Sequence, residues 1–172
     1  MPFTSLRAWL GIDASGGSES APLREILDAL DQLEPERARY LGAFAYLLGR
    51  VARADLHVSA EETHAMEALV GEHGRLPPDQ AMMVVHLAKT SNLLFGGTAD
   101  FLVGRDFSAV ATYEQKLALL RCLFIVSATD DAISIREEGE IHRIASELRI
   151  EPADLVALRV AYRKQLPGVP RE

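Results

Sequence analysis

The sequence has little cysteine and little basic charge, and both scarcities exclude classes of function. Its single cysteine, Cys122, rules out an intrachain disulfide and a cluster of thiolate metal ligands. The 18 Lys and Arg residues against 25 Asp and Glu give a net charge of -7, so we expect no nucleic acid partner. No run reaches the roughly 18 apolar residues of a membrane-spanning helix, and residues 1–12 lack the apolar centre of a secretory signal. These absences predict a cytoplasmic protein with no transmembrane segment.

The residues that are present follow helical periodicity. Apolar side chains make up 48% of the chain and recur with a period near 3.6, while β-branched runs are scarce. We therefore predict an all-α fold, a single bundle of about seven helices. Helices are expected over residues 22–33, 35–55, 60–72, 78–94, 112–129, 135–149 and 152–165, with a shorter one at 98–104. The 112–129 helix is apolar on most of its circumference, which predicts a central position in the bundle.

The first 21 residues form a separate unit in this interpretation. Phe3, Leu6, Trp9 and Leu10 follow the spacing of a short amphipathic helix, and the Gly/Ser-rich stretch 13–21 has the composition of a flexible tether. The segment either folds back onto the bundle or docks on a partner, with weak peripheral membrane contact as a further role. The folded domain is predicted to span 22–166 and to be followed by a loose tail at 167–172.

An internal repeat organises the domain. The segments RVARADLHVSAEETHAMEAL and VSATDDAISIREEGEIHRI align without gaps at an offset of 75 residues. Four identities define the alignment: Val51, Asp55, Ser59 and Glu62 recur as Val126, Asp130, Ser134 and Glu137. In each copy an apolar helix ends in Asp, and Ser-x-x-Glu opens the next helix after a tight turn. The bundle is therefore predicted to contain two related helix-turn-helix units.

These two units resemble the TerB-like family of bacterial tellurite resistance and stress-response proteins. The likeness lies in an apolar helix followed by an A-D-G-x-[VI]-[SD]-x-x-E turn, which occurs here at residues 54–62 and 129–137. Leu56 and Asp131 stand where the family often has glycine. The resemblance implies an all-helical fold, a divalent metal held by acidic residues, and stress-response partners at the cytoplasmic face of the membrane. A related domain is attached to a DnaJ-type co-chaperone.

The acidic residues of the turns are the candidate site, and their chemistry admits two interpretations. The candidate metal ligands are Asp55, Glu62, Asp130 and Glu137, with Glu61, Asp131 and Glu138 as secondary candidates. Helical spacing points Asp55 and Glu137 inward, where a carboxylate has to be paired, hydrogen-bonded or metal-bound. In one interpretation Ser-x-x-Glu is a capping box. In the other, the carboxylates hold a hard cation such as Ca²⁺, Mg²⁺ or Mn²⁺ rather than Zn²⁺ or iron, although the spacing is not that of an EF-hand.

The histidines suggest a different chemistry. Glu61 and His64 have the Glu-x-x-His spacing of di-iron carboxylate bundles, but the second copy departs from it, since Glu138 lies four residues before His142. His64 is predicted on the solvent face. Cys122 has no histidine at helical spacing and is interpreted as a buried small hydrophobe. The basic end of the last helix, which includes Arg159, is interpreted as a solvated face.

Three functions remain open at this level. The preferred one is a TerB-like accessory protein without catalysis, located in the cytoplasm or at the inner face of the membrane, which binds a divalent cation or a protein partner through its acidic turns. The first alternative is a co-chaperone-like interaction module whose capping boxes are purely structural. The second is a di-metal enzyme that uses Glu61, His64, Glu138 and His142.

Overall fold

The computed structural model describes residues 21–51, 60–91, 100–128 and 133–162, and these ranges contain helices and short connections without a strand. The predicted all-α class is confirmed. Eight helices lie in the described ranges: α1 (Ala21–Asp31), α2 (Pro35–Val51), α3 (Ala60–Gly74), α4 (Pro78–Ser91), α5 (Asp100–Val110), α6 (Tyr113–Ala128), α7 (Ile135–Glu147) and α8 (Pro152–Ala161). Within these ranges no helix has both the length and the apolar character of a membrane span.

Helix α2 is the most deeply buried element of the bundle. It starts at Pro35, whose missing N–H costs little in the first turn, and has Glu36 and Arg50 at the ends that suit the helix dipole. Every side chain from Tyr40 to Val51 is buried. The helix packs against α4, α5, α6, α7 and α1, which explains why burial extends around its whole circumference.

Helix α6 is the second central element, as its sequence predicts. Its fully buried side chains include Leu119, Cys122, Leu123 and Phe124. It packs against α3, α2, α7 and α8. The packing of the two repeated units is reciprocal, because α3 of the first unit lies on α6 and α7 of the second lies on α2. This exchange agrees with two related units in one bundle.

Helix α5 differs from its sequence prediction, which ended the helix at Gly104. The structure continues it to Val110, with Gly104 in its interior. A Cβ atom at this position would lie 2.6 Å from Oε2 of Glu147 on α7. Gly104 therefore allows α5 and α7 to approach each other closely and does not end the helix.

Helix α7 ends slightly earlier than predicted, at Glu147 instead of Arg149. Leu148 is the C-cap residue, and Arg149 adopts a left-handed conformation with φ 57°. The amide of Ile150 then donates to the carbonyl oxygen of Ala145 at 2.9 Å, which closes a Schellman motif. This turn directs the chain into α8.

The predicted amphipathic segment at the N-terminus and the predicted tail at 167–172 lie outside the described residues, and α1 begins one residue before the predicted boundary.

Candidate functional site

In the second helix-turn-helix unit, which contains the acidic turn at residues 129–137, helix α7 begins with a complete capping box. Ser134 has the extended backbone of an N-cap residue, and its Oγ accepts a hydrogen bond from the Glu137 amide at 3.1 Å. The Ser134 amide donates in return to Oε2 of Glu137 at 2.7 Å. The capping interpretation is confirmed for this unit, and Glu137 points inward as predicted, with only 5% of its surface exposed.

We expect the cap to contribute measurably to stability. Replacing Ser134 by alanine removes the acceptor for the Glu137 amide and should lower the free energy of unfolding by about 1 kcal/mol. Urea unfolding followed by circular dichroism measures the change. Ser146→Ala is the matched control, because Ser146 is exposed within the same helix and alanine there should be neutral or stabilise by about 0.5 kcal/mol. Equal losses from both substitutions would contradict a capping role.

The two acidic units meet at one end of the bundle. Nη2 of Arg136, in the first turn of α7, donates to the carbonyl oxygen of Val51 at 3.2 Å. Val51 is the last residue of α2, four positions before Asp55, and Arg136 follows Asp130 by six positions. The contact therefore joins the helix that precedes the first acidic turn to the helix that follows the second one.

A buried ion-pair network lies one turn further into the bundle. Arg50 has a side chain only 3% exposed and donates from Nε to Oε2 of Glu140 at 2.9 Å. Its Nη1 and Nη2 atoms donate to the two carboxylate oxygens of Glu147 at 3.1 Å and 3.0 Å. Arg143, which is exposed, adds a bond from Nη1 to Oε1 of Glu140 at 3.1 Å. The network attaches α2 to α7.

Arg50 and its partners were not predicted as a site from the sequence. The helical positions of Glu140 and Glu147 could have indicated the network. They are seven residues apart and lie near the buried stripe of Ile141 and Ile144. Two acidic residues beside a buried stripe require a cation from a facing helix. Arg50 lies in the last turn of α2, among buried apolar neighbours.

The secondary candidate Glu138 is engaged by side chains of two helices. Its Oε1 accepts a hydrogen bond from Nε of Arg159 on α8 at 2.7 Å and also pairs with Nη2 of that residue. His142 Nε2 lies 3.6 Å from the same oxygen. The Arg159 side chain is 39% exposed, which agrees with its interpretation as part of a solvated face, and its guanidinium also pairs with α7, which was not predicted.

The two histidines of the di-metal hypothesis pair with different glutamates. His64 is exposed, as predicted, and its Nδ1 lies 3.2 Å from Oε2 of Glu67, whereas His142 pairs with Glu138. The other Glu67 oxygen lies 3.3 Å from Nε2 of His86 on α4. His64 and Glu67 also line an open cleft of about 390 Å³ between α3 and α4. Among the side chains that the structure describes, no group of three His, Cys, Asp or Glu residues is arranged to hold a metal ion.

Several predicted site residues fall outside the described part of the chain. Asp55, Asp130 and Asp131 lie in the undescribed stretches 52–59 and 129–132, and so does Ser59 of the Ser59-x-x-Glu62 motif. Glu61 and Glu62 belong to α3, but their side chains are not described. The docking residues Phe3, Leu6, Trp9 and Leu10 also lie outside the described ranges. The metal and docking assignments of these residues stay predictions.

Cys122 is buried in α6, as its sequence context predicts. Its Sγ atom lies 3.9 Å from the carbonyl oxygen of Val70. Desolvation by burial raises the pKa of the Cys122 thiol to about 12, and the nearby Arg121 only partly offsets this. The thiolate that nucleophilic chemistry requires is therefore strongly disfavoured.

Comparison with known protein families identifies the family of this chain. The family model described as "Tellurite resistance protein TerB" matches residues 41–160, a range that includes both repeated units and helices α3 to α7. No curated protein and no solved structure matches the chain.

Proposed function

Because the chain belongs to the TerB family of tellurite resistance proteins, we propose that it is an accessory protein of tellurite-resistance-type stress response. In this proposal it binds a hard divalent cation through its acidic turns, performs no catalysis, and acts in the cytoplasm or at the inner face of the membrane. The observation that carries the proposal is the bond between Arg136 and the Val51 carbonyl, which brings the two acidic units together.

The carboxylates in the sequence of the two turns support a cation as the ligand. Four carboxylates lie near the bonded residues Val51 and Arg136 in the sequence. In the first unit, Asp55 and Glu62 follow Val51 by four and eleven positions. In the second, Asp130 and Asp131 precede Arg136 by six and five positions. Carboxylate and carbonyl oxygens are the ligands that Ca²⁺, Mg²⁺ and Mn²⁺ prefer. Glu137 already accepts the Ser134 amide, so its proposed role is to fix the start of α7 beside the site and to add charge.

A second candidate function is a co-chaperone-like interaction module without metal. The complete capping box of Ser134 and Glu137 favours it, because both backbone donors are satisfied by protein atoms alone. In that case the turns only shape the bundle, and a protein partner binds elsewhere on its surface.

Metal-dependent thermal stability distinguishes these proposals. Protein stripped with a chelator is melted alone and with excess Ca²⁺, Mg²⁺, Mn²⁺ or Zn²⁺. An ion that binds only the folded state and is present at a concentration of about 100 times its Kd should raise Tm by about 5–10 °C. The double substitution Asp55→Asn with Asp130→Asn should abolish the shift and leave the far-UV spectrum unchanged, because the helices do not depend on the bound ion.

The matched control is Asp31→Asn with Asp79→Asn. These two exposed carboxylates lie at the end of α1 and the start of α4, and their replacement removes the same charge. The control should keep the full metal-dependent shift. A shift that both double variants lose equally would identify general charge screening, and no shift with any ion would favour the interaction module.

A further inference from the structure

The open cleft between α3 and the start of α4 has the size of a ligand site. Its volume of about 390 Å³ falls within the range of protein pockets that hold small ligands. Small or apolar residues form one part of its lining: Ala68, Gly71, Leu76 and Pro78. Ala68 and Gly71 lie on the same face of α3, and their small side chains leave space above the helix. We call these two residues the cleft floor.

The turn that joins the two helices fixes the apolar end of the cleft. Arg75 adopts a left-handed conformation with φ 54°, and the Leu76 amide then donates to the carbonyl oxygen of Gly71 at 3.0 Å. This bond is typical of a helix C-terminus at which the chain turns back. The Leu76 side chain is only 6% exposed, so the protein already packs it in place. The apolar end of the cleft is therefore preformed.

The Glu67 carboxylate is held at one side of the cleft by contacts with two helices. Its Oε2 lies 3.2 Å from Nδ1 of His64 on α3, and its Oε1 lies 3.3 Å from Nε2 of His86 on α4. A carboxylate has about four positions at which it can accept a hydrogen bond. The two imidazole contacts use about half of them, so the oriented Glu67 carboxylate can still accept bonds from a ligand in the cleft.

A second carboxylate, Glu72, lies at the other side of the cleft. At 100° per residue, Glu67 and Glu72 point to opposite sides of the cleft floor. Glu72 is exposed, and within the described ranges no lysine, arginine or histidine side chain pairs with it. The lining of the cleft contains these two carboxylates and neither lysine nor arginine. The cleft therefore favours a positively charged ligand.

An arginine side chain has the chemistry that this combination requires. Its methylene groups can lie on the cleft floor and the apolar end, while the five N–H groups of its guanidinium reach carboxylates on both sides. A bare metal ion would leave the apolar part of the cleft unfilled. Arginine is also a common anchor residue of protein interfaces. We propose that the α3–α4 cleft binds an arginine side chain of a partner protein. The proposal does not rest on the metal site, because no candidate metal ligand lines the cleft.

NMR titration of the isotope-labelled full chain with N-acetyl-argininamide tests the proposal. One side chain makes a small contact, so we expect a Kd of about 1–10 mM, with the amide shifts concentrated at residues 64–78. N-acetyl-citrullinamide is the matched ligand, because a neutral urea group of the same shape replaces the guanidinium. Its affinity should be about tenfold lower, since it lacks the charge-assisted hydrogen bonds.

Two substitutions alter the cleft in different ways. Ala68→Leu fills the space above the cleft floor and should abolish binding, and it leaves the core intact because Ala68 is exposed. Glu72→Gln removes one carboxylate charge and should weaken binding by about fivefold or more. Glu151→Gln is the matched control, since it removes the same charge from an exposed residue before α8 and should leave the Kd unchanged. Circular dichroism confirms that each variant is folded.

Four results would overturn the proposal. The first is the absence of localised shifts at about 20 mM N-acetyl-argininamide. The second is equal affinity for the citrulline derivative, which would exclude recognition of the guanidinium. The third is binding that survives Ala68→Leu, which would place the ligand outside the cleft. The fourth is an equal loss in Glu72→Gln and Glu151→Gln, which would identify a general charge effect.

Discussion

Replacing Arg50 by methionine should lower the free energy of unfolding by about 3–5 kcal/mol, because it breaks a buried ion-pair network from one side. The Arg50 guanidinium bonds Glu140 once and Glu147 twice, and both carboxylates are less than one-fifth exposed. Methionine fills a similar volume but leaves the partly desolvated Glu147 carboxylate without its cation, and leaves Glu140 with only the exposed Arg143. Urea unfolding at neutral pH measures the loss.

Arg143→Met is the matched control for this experiment. Arg143 bonds the same Glu140 carboxylate, but its side chain is 65% exposed, so we expect a loss of about 0–1 kcal/mol. Arg50→Lys should fall between the two, since an ammonium group keeps the charge but cannot form the bidentate contact with Glu147. Similar losses from Arg50→Met and Arg143→Met would show that the buried network has no special role in stability.

Replacing Phe44 by alanine should cost about 3–5 kcal/mol as well, but for a different reason. The ring is fully buried where three helices meet. It lies edge-on to Tyr40 of α2 and Phe107 of α5 at 6.0 Å and 6.4 Å, and its Cζ would be 3.0 Å from a Cβ atom at Gly74 of α3. Alanine would leave a cavity, and the closely packed neighbours of the ring can fill it only in part.

Thermal and urea unfolding measure the loss at Phe44, and Met82→Ala serves as the comparison. Met82 is large and apolar but almost half exposed, so its truncation should cost less than about 1 kcal/mol. A Phe44→Ala protein as stable as Met82→Ala would mean that the bundle repacks around the missing ring.

The helical periodicity of the sequence predicted those features that depend on a single helix. The burial of Cys122, the exposure of His64 and the capping box of Ser134 all follow from spacing and local chemistry. Each of these is confirmed because the residues involved lie within one or two turns of one another. The burial of α6 was predictable for the same reason, since its apolar circumference is visible in the sequence alone.

Features that depend on two facing helices were missed. Gly104 suggested a helix end, but it provides space for the Glu147 carboxylate, a contact that spans 43 positions of the chain. Arg50 and Arg159 were not predicted to form ion pairs with α7, because helical spacing says nothing about which helices face each other. The acidic turns stay a prediction, since Asp55 and Asp130 lie outside the described residues.

The burial of Cys122 has a consequence for redox chemistry. Burial raises the pKa of the Cys122 thiol to about 12, so very little thiolate, the form that reacts with oxidants, is present at neutral pH. A Cβ atom at Gly74 would lie 3.2 Å from Sγ, so the adjoining backbone also blocks approach from that side. Cys122 is therefore protected from sulfenylation and mixed-disulfide formation while the bundle stays folded. A redox-sensing role for this thiol would require the bundle to open first.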